Sequence, residues 1–165
     1  PNLPPPAIKG FPKGQNEIKV QINAPANVPT GEFPLIFTGR TKFQGRDYAV
    51  NSLPVPLNLV LPFDLQVDGA PLKLAAGDKT KIKVKAVRRG GYQGPIGLMV
   101  RNLPAGVTAP AATIAQGQNE VEVEITAAAT AAAGDKTDVN VLGTATAAAN
   151  QQNASANFTL TVLKK

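Results

Sequence analysis

The chain repeats itself. Gly14 to Glu17 reads GQNE and so does Gly117 to Glu120, and after each copy apolar residues alternate in step: Ile18, Val20 and Ile22 answer Val121, Val123 and Ile125. Gly31 then answers Gly134 and Gly39 answers Gly143, while Asn2-Leu3-Pro4 precedes the first copy as Asn102-Leu103-Pro104 precedes the second. Each copy closes on an alternating apolar set, Leu57, Leu59 and Leu61 in one and Phe158, Leu160 and Val162 in the other. A motif order carried twice means two units of one kind in series. The copies are unequal, because the stretch from Phe63 to Arg101 has no counterpart ahead of the first. Residues 62–165 therefore read as a complete unit and residues 1–61 as the later part of a preceding one, a piece of a longer tandem array.

Alternation with period two and turn residues at short intervals make the complete unit all-β, an immunoglobulin-like antiparallel sandwich of about seven strands. Phe63, Leu65 and Val67 form one strand, Leu72 and Leu74 a second, and Ile82, Val84 and Ala86 a third; Ile96, Leu98 and Val100 follow. Val121 to Ile125, Val139 with Val141, and Phe158 to Val162 complete the set, with a short strand near Thr113. The partial unit should supply the equivalents of the last three major strands, with its final strand at an edge because Pro54 and Pro56 lack donors. Ala127 to Ala133 reads as a crossover, too short for a stable helix. The hexapeptide AAGDKT occurs at Ala75 to Thr80 and again at Ala132 to Thr137, in both places as a turn before a strand. Leu61-Pro62-Phe63 leaves almost no linker, so the units should be joined stiffly.

One charge pattern predicts which strands meet. Lys79, Lys81, Lys83 and Lys85 lie opposite the apolar set of their strand, and Glu120, Glu122 and Glu124 lie opposite the apolar set of theirs. A lysine ladder beside a glutamate ladder would make these strands neighbours and fix their register.

Composition removes most catalytic chemistry. With neither Cys nor His, the chain has no thiol nucleophile, no disulfide, no Ser-His-Asp triad and no zinc-finger ligand set. Carboxylates remain, but the three glutamates are explained by the ladder, and Asp135 with Asp138 falls short of a calcium cage. No catalytic, cofactor or metal residue is expected. The net charge of +6 is dispersed, and aromatics make up only 5% of residues, which argues against nucleic acid. No apolar run is long enough for a spanning helix. Asn153-Ala154-Ser155 and Asn157-Phe158-Thr159 match the glycosylation pattern and are discounted, the second because it falls in a strand.

Two places could form a binding surface. Arg88, Arg89 and Tyr92 occupy a glycine-rich loop, where a structural role is favoured: Tyr92 over the core end and Arg88 bound to a carbonyl or carboxylate. Arg40, Lys42, Arg46 and Tyr48 flank a turn near Gly45 and would be solvated or meet an acidic polymer.

The string RRGGYQGPIGLMVRNLPAGV, Arg88 to Val107, resembles bacterial tandem Ig-like β-sandwich repeats of large exported proteins, including modules associated with secreted glycosidases and repeats accompanying pre-peptidase domains. The resemblance covers residues 62–165 and implies a non-catalytic module outside the cytoplasm, at a cell surface, in the periplasm or secreted, which spaces, stiffens or presents neighbouring domains of its parent. The alternative is an accessory module binding protein or carbohydrate for a secreted peptidase or glycosidase. The first unit departs from the pattern, with Pro4-Pro5-Pro6 in place of the Pro-x-Gly turn. Its apolar residues would face sheets that are partly missing, so residues 1–61 are expected either to form a homodimer with another chain or to fold back on the second unit.

Overall fold

A computed structural model describes residues 8, 10–22, 29–146 and 150–164. The chain divides into two compact units, Pro1–Val60 and Leu61–Lys165. The triplet Asn2-Leu3-Pro4, the Pro4-Pro5-Pro6 run and most of the Ala24 to Thr30 crossover lie outside the described residues.

The first unit holds β1 (Gly31–Leu35), β2 (Thr38–Phe43), β3 (Arg46–Asn51) and β4 (Val55–Leu59). β1 pairs antiparallel with β4, and β2 with β3. The β2–β3 turn places Gln44 at φ 46° and Gly45 at φ 77°, the left-handed pair of a tight hairpin. Among the described residues β4 pairs with β1 alone, and Pro56 faces Pro34 across the pair, which suits a position where neither residue is asked for a ladder donor.

The second unit begins with β5 (Phe63–Asp68), β6 (Leu72–Ala75), β7 (Lys79–Arg88) and β8 (Ile96–Arg101). It continues with β9 (Val107–Thr108), β10 (Ala112–Ile114), β11 (Glu120–Ala127), β12 (Gly134–Ala145), β13 (Gln151–Ala154) and β14 (Phe158–Leu163). One sheet runs β5-β7-β11-β9, and the other β10-β8-β12-β14-β6 with β13 also on β12. All pairs are antiparallel except β14 with β6. Alternate residues of both sheets make one core, in which Phe63, Ile82, Val84 and Ile125 from the first sheet meet Ile96, Val139, Val141 and Leu160 from the second. Two antiparallel sheets closed over a shared apolar layer form a β-sandwich.

The lysine and glutamate strands are neighbours. In the β7–β11 register Lys83 stands opposite Glu122, but each ammonium donates to the carboxylate one step along the diagonal: Lys79 to Glu124 at 2.9 Å, Lys81 to Glu122 at 3.1 Å and Lys83 to Glu120 at 3.2 Å. Lys85 turns the other way, to Asp68 on β5, whose hydrogen bond and charge hold its ammonium above the usual lysine range. These pairs are exposed, so they select register more than they add stability.

Three expectations shift. Ala127 belongs to β11, buried opposite Val107, and the turn starts after it. Small side chains are needed there, since a Cβ on Gly106 would lie 3.0 Å from the Cα of Ala131. The two AAGDKT copies differ: around Gly77 the segment turns, with Asp78 N–H donating to Ala75 O, whereas Gly134 to Thr137 is already strand, paired with β14. Residues 17–22, read as a strand, belong to no sheet among the described residues, although Ile18, Val20 and Ile22 still alternate with exposed neighbours. Their counterpart β11 is held by β7 and β9, and a strand exists only with a hydrogen-bonded neighbour.

The repeat itself is visible in three dimensions. Gly31↔Leu59, Glu32↔Asn58 and Phe33↔Leu57 reappear under one constant shift as Gly134↔Val162, Asp135↔Thr161 and Lys136↔Leu160. This register matches Leu57 to Leu160 and Leu59 to Val162, two residues away from the pairing expected from the closing apolar sets. Gln15 N–H donates to Pro12 O as Gln118 N–H does to Ala115 O, both at 3.0 Å. Ser52 takes the N–H of Phe37 and donates to Leu53 O, as Ser155 takes that of Val141 and donates to Ala156 O.

Two outcomes are expected. Lys81→Glu should destabilise the second unit by about 0.5–1 kcal/mol, and Lys81→Glu with Glu122→Lys should recover most of it, measured by urea unfolding. Gly143→Ala should destabilise by about 1–3 kcal/mol because its Cβ would lie 2.6 Å from the Phe63 ring, while Gly39→Ala, with only Val50 O at 3.8 Å, should stay within about 0.5 kcal/mol of the parent.

Candidate functional site

Arg88 ends β7 and is followed by Gly90 and Gly91, both at positive φ, so the chain turns back beneath its guanidinium. All three of its nitrogens donate. Nη1 donates to Gly94 O at 2.6 Å, Nη2 to Gln118 O at 2.6 Å and Ala115 O at 3.1 Å, and Nε to Gln118 O at 3.0 Å and Asn119 Oδ1 at 3.2 Å. Its carbon lies 5.7 Å from the centroid of the Tyr92 ring, and Tyr92 Oη donates to Pro95 O at 2.7 Å. Gly94 has to be glycine for this arrangement, since a Cβ there would sit 2.6 Å from Tyr92 Oη. Arg88 thus clasps the β7–β8 loop to the turn carrying the second GQNE. The planar five-donor fork matches several carbonyls at once, which a lysine does not.

Arg89 points to Asp64 on β5, with Nε donating to Oδ2 at 2.6 Å and Nη2 on the same oxygen. Asn153 on β13 donates to the other oxygen of Asp64 at 3.0 Å and to Phe63 O at 2.9 Å. The result is a polar tie between β5 of one sheet and β13 of the other. Asp64 carries no signal in the sequence and Asn153 only that of a sequon, because the two lie far apart along the chain. Asn157, of the second sequon, accepts from Asn140 Nδ2 at 3.2 Å.

In the first unit, Arg40 pairs across the hairpin with Ala49, and Arg46 with Phe43. Side chains directly opposite share a face, so Arg40 and Lys42 lie on one face with Asp47, and Arg46 on the other with Tyr48. The structure does not gather the hairpin arginines into a single patch. A shallow depression of about 470 Å³ runs along Arg40, Lys42 and Asp47.

Among the described residues no group of three acidic side chains is placed to hold a metal ion. Asp135 accepts from Thr161 Oγ1 at 2.6 Å, and Asp138 takes Lys136 at 2.9 Å, a hydrogen bond that holds its carboxyl below the usual range. No described helix is long and apolar enough to cross a membrane.

No protein-family model matches the chain. No curated protein matches it either. Among solved structures it is similar to the crystal structure of S-layer protein SbsC domains 4 and 5, at 16% identity and a TM-score of 0.43 over 79% of this chain and 58% of that one. It is also similar to surface layer protein SbsC domains 1–6, at 16% identity and a TM-score of 0.42 over 80% of this chain and 17% of that one.

Arg88→Ala should destabilise the second unit by about 1–3 kcal/mol, because several carbonyls lose a charged donor together. Arg88→Lys should recover less than half of that loss in urea unfolding followed through Tyr92.

Proposed function

We propose that this chain is a non-catalytic structural module of an exported or cell-surface bacterial protein, a length of tandem immunoglobulin-like sandwich that spaces and presents neighbouring domains of its parent. The observation that supports this reading is the repeated register: two consecutive units carry the same strand pairing under a constant shift, with Val60, Leu61 and Pro62 alone between β4 and β5. Serial units on short junctions suit a protein that sets distances. The state of the polar side chains agrees with it. Lys79, Lys81, Lys83, Lys85, Arg88 and Arg89 are each engaged in pairing strands or closing loops, which supports a structural use of these side chains.

The reading is tested in the parent protein. Antibodies against this chain are expected to label intact cells, with the label removed by external protease; labelling only after permeabilisation would overturn the exported location. Replacing the segment by an unrelated β-sandwich of similar length should preserve the parent's activity. Loss of a binding or hydrolytic activity after that exchange would assign the segment the accessory binding role instead.

A further inference from the structure

The two units differ in what covers one equivalent face. In the second unit Val141, Gly143 and Ala145 on β12 face the core, and the Phe63 ring of β5 lies so close over Gly143 that a Cβ there would be 2.6 Å away. Past the irregularity between Lys136 and Val139 in β12 the offset between the units grows by one residue, so Phe37 answers Val141, as their matching serine contacts show, and Gly39 answers Gly143. Phe43, Tyr48 and Val50 share that face of the first unit, and they are 62%, 48% and 72% exposed. Beside Gly39 runs a groove of about 400 Å³ lined by Phe11, Ile18, Val20 and Phe37. It lies where the second unit holds its β5 phenylalanine.

We infer that this groove is a strand-accepting site, and that its occupant is a β5–β7-like segment of the same repeat type: a phenylalanine seated on Gly39 and a β7-like strand beside residues 17–22. Charge specifies that strand further. In the second unit Lys83 meets Glu120, Lys81 meets Glu122 and Lys79 meets Glu124. The first unit has Glu17, Lys19 and Gln21 at those three glutamate positions. Its partner therefore carries a basic residue facing Glu17 and an acidic residue facing Lys19, where β7 has Lys81. A β7 strand donated by another copy of this chain would set Lys81 against Lys19, a like-charge contact that selects against that exchange. Strand addition of this kind draws affinity from main-chain hydrogen bonds and specificity from alternate side chains.

The inference goes beyond the structural-module reading and does not depend on cellular location, so cell labelling can fail while the groove is filled, and the reverse. The test uses the full chain with synthetic peptides of residues 63–88, one carrying Lys81→Glu and one unmodified, with affinity from calorimetry and the site from amide chemical shifts. The Lys81→Glu peptide should bind, shifting residues 11–22 and 37–39, and the unmodified peptide should bind about two- to fivefold more weakly. Lys19→Glu in the protein should reverse that order. Gly39→Leu should weaken both peptides by at least about tenfold, since Gly39 has no left-handed φ and the added side chain fills the groove without straining the backbone. Equal affinity for the two peptides, no binding of either, or indifference to Gly39→Leu would overturn the proposal. A concentration-dependent dimer in light scattering, disrupted by Gly39→Leu, would overturn it in favour of a second copy as the occupant.

Discussion

The second unit depends on closing one sheet over the other, and the tightest point of closure is the Phe63 ring on Gly143. A ring of that size removes much apolar surface from water, but only where the opposing strand has no side chain to displace it. Phe63 is fully buried. Around it the alternating residues of β7, β11, β8, β12 and β14 fill the layer, and close packing then makes each position sensitive to small changes of volume. The remaining features of the unit bring those strands together or hold their ends.

The polar side chains carry out that second task. Exposed lysine–glutamate pairs contribute little energy one at a time, yet a one-residue slip of β11 against β7 would turn every apolar residue outward and break every pair together. Arg88 does the equivalent for loops, tying the β7–β8 turn to the GQNE turn. Arg89, Asp64 and Asn153 tie the two sheets at another edge. A basic chain thus uses much of its charge to pair its own strands and close its own loops.

The described residues of the first unit carry part of the same pattern. Its β1–β4 ladder, hairpin and serine clasp are formed, because each is local or joins segments that are both present. Among the described residues the segment equivalent to β11 is in no sheet, and Phe43, Tyr48 and Val50 on the face equivalent to that of β12 are exposed. Local pairing forms although no described residue of the first unit is buried, as expected when hydrogen bonds set strand geometry and burial sets how sheets close.

Much of this was legible in the residues. Period-two alternation determined the strands, since side chains of a strand alternate between faces whatever its neighbours are, and the opposed lysine and glutamate ladders determined which two strands pair. The loop role of Arg88 and Tyr92 was legible too, from glycines that only a tight turn requires. Other features depended on contacts between distant segments. The hexapeptide AAGDKT is a turn at Gly77 and a strand at Gly134, because the first copy leaves β14 after Ala76, which bonds the last residue of that strand, whereas Gly134 to Lys136 of the second run along it. The diagonal reach of each lysine, the short strands β9 and β13, the Asp64–Asn153 tie and the separation of Arg40 from Arg46 onto opposite hairpin faces follow from register and packing. Alternation and charge are properties of neighbouring residues and are written in the chain; which surface covers which is decided when distant strands compete for the same core, and only the tertiary structure holds that outcome.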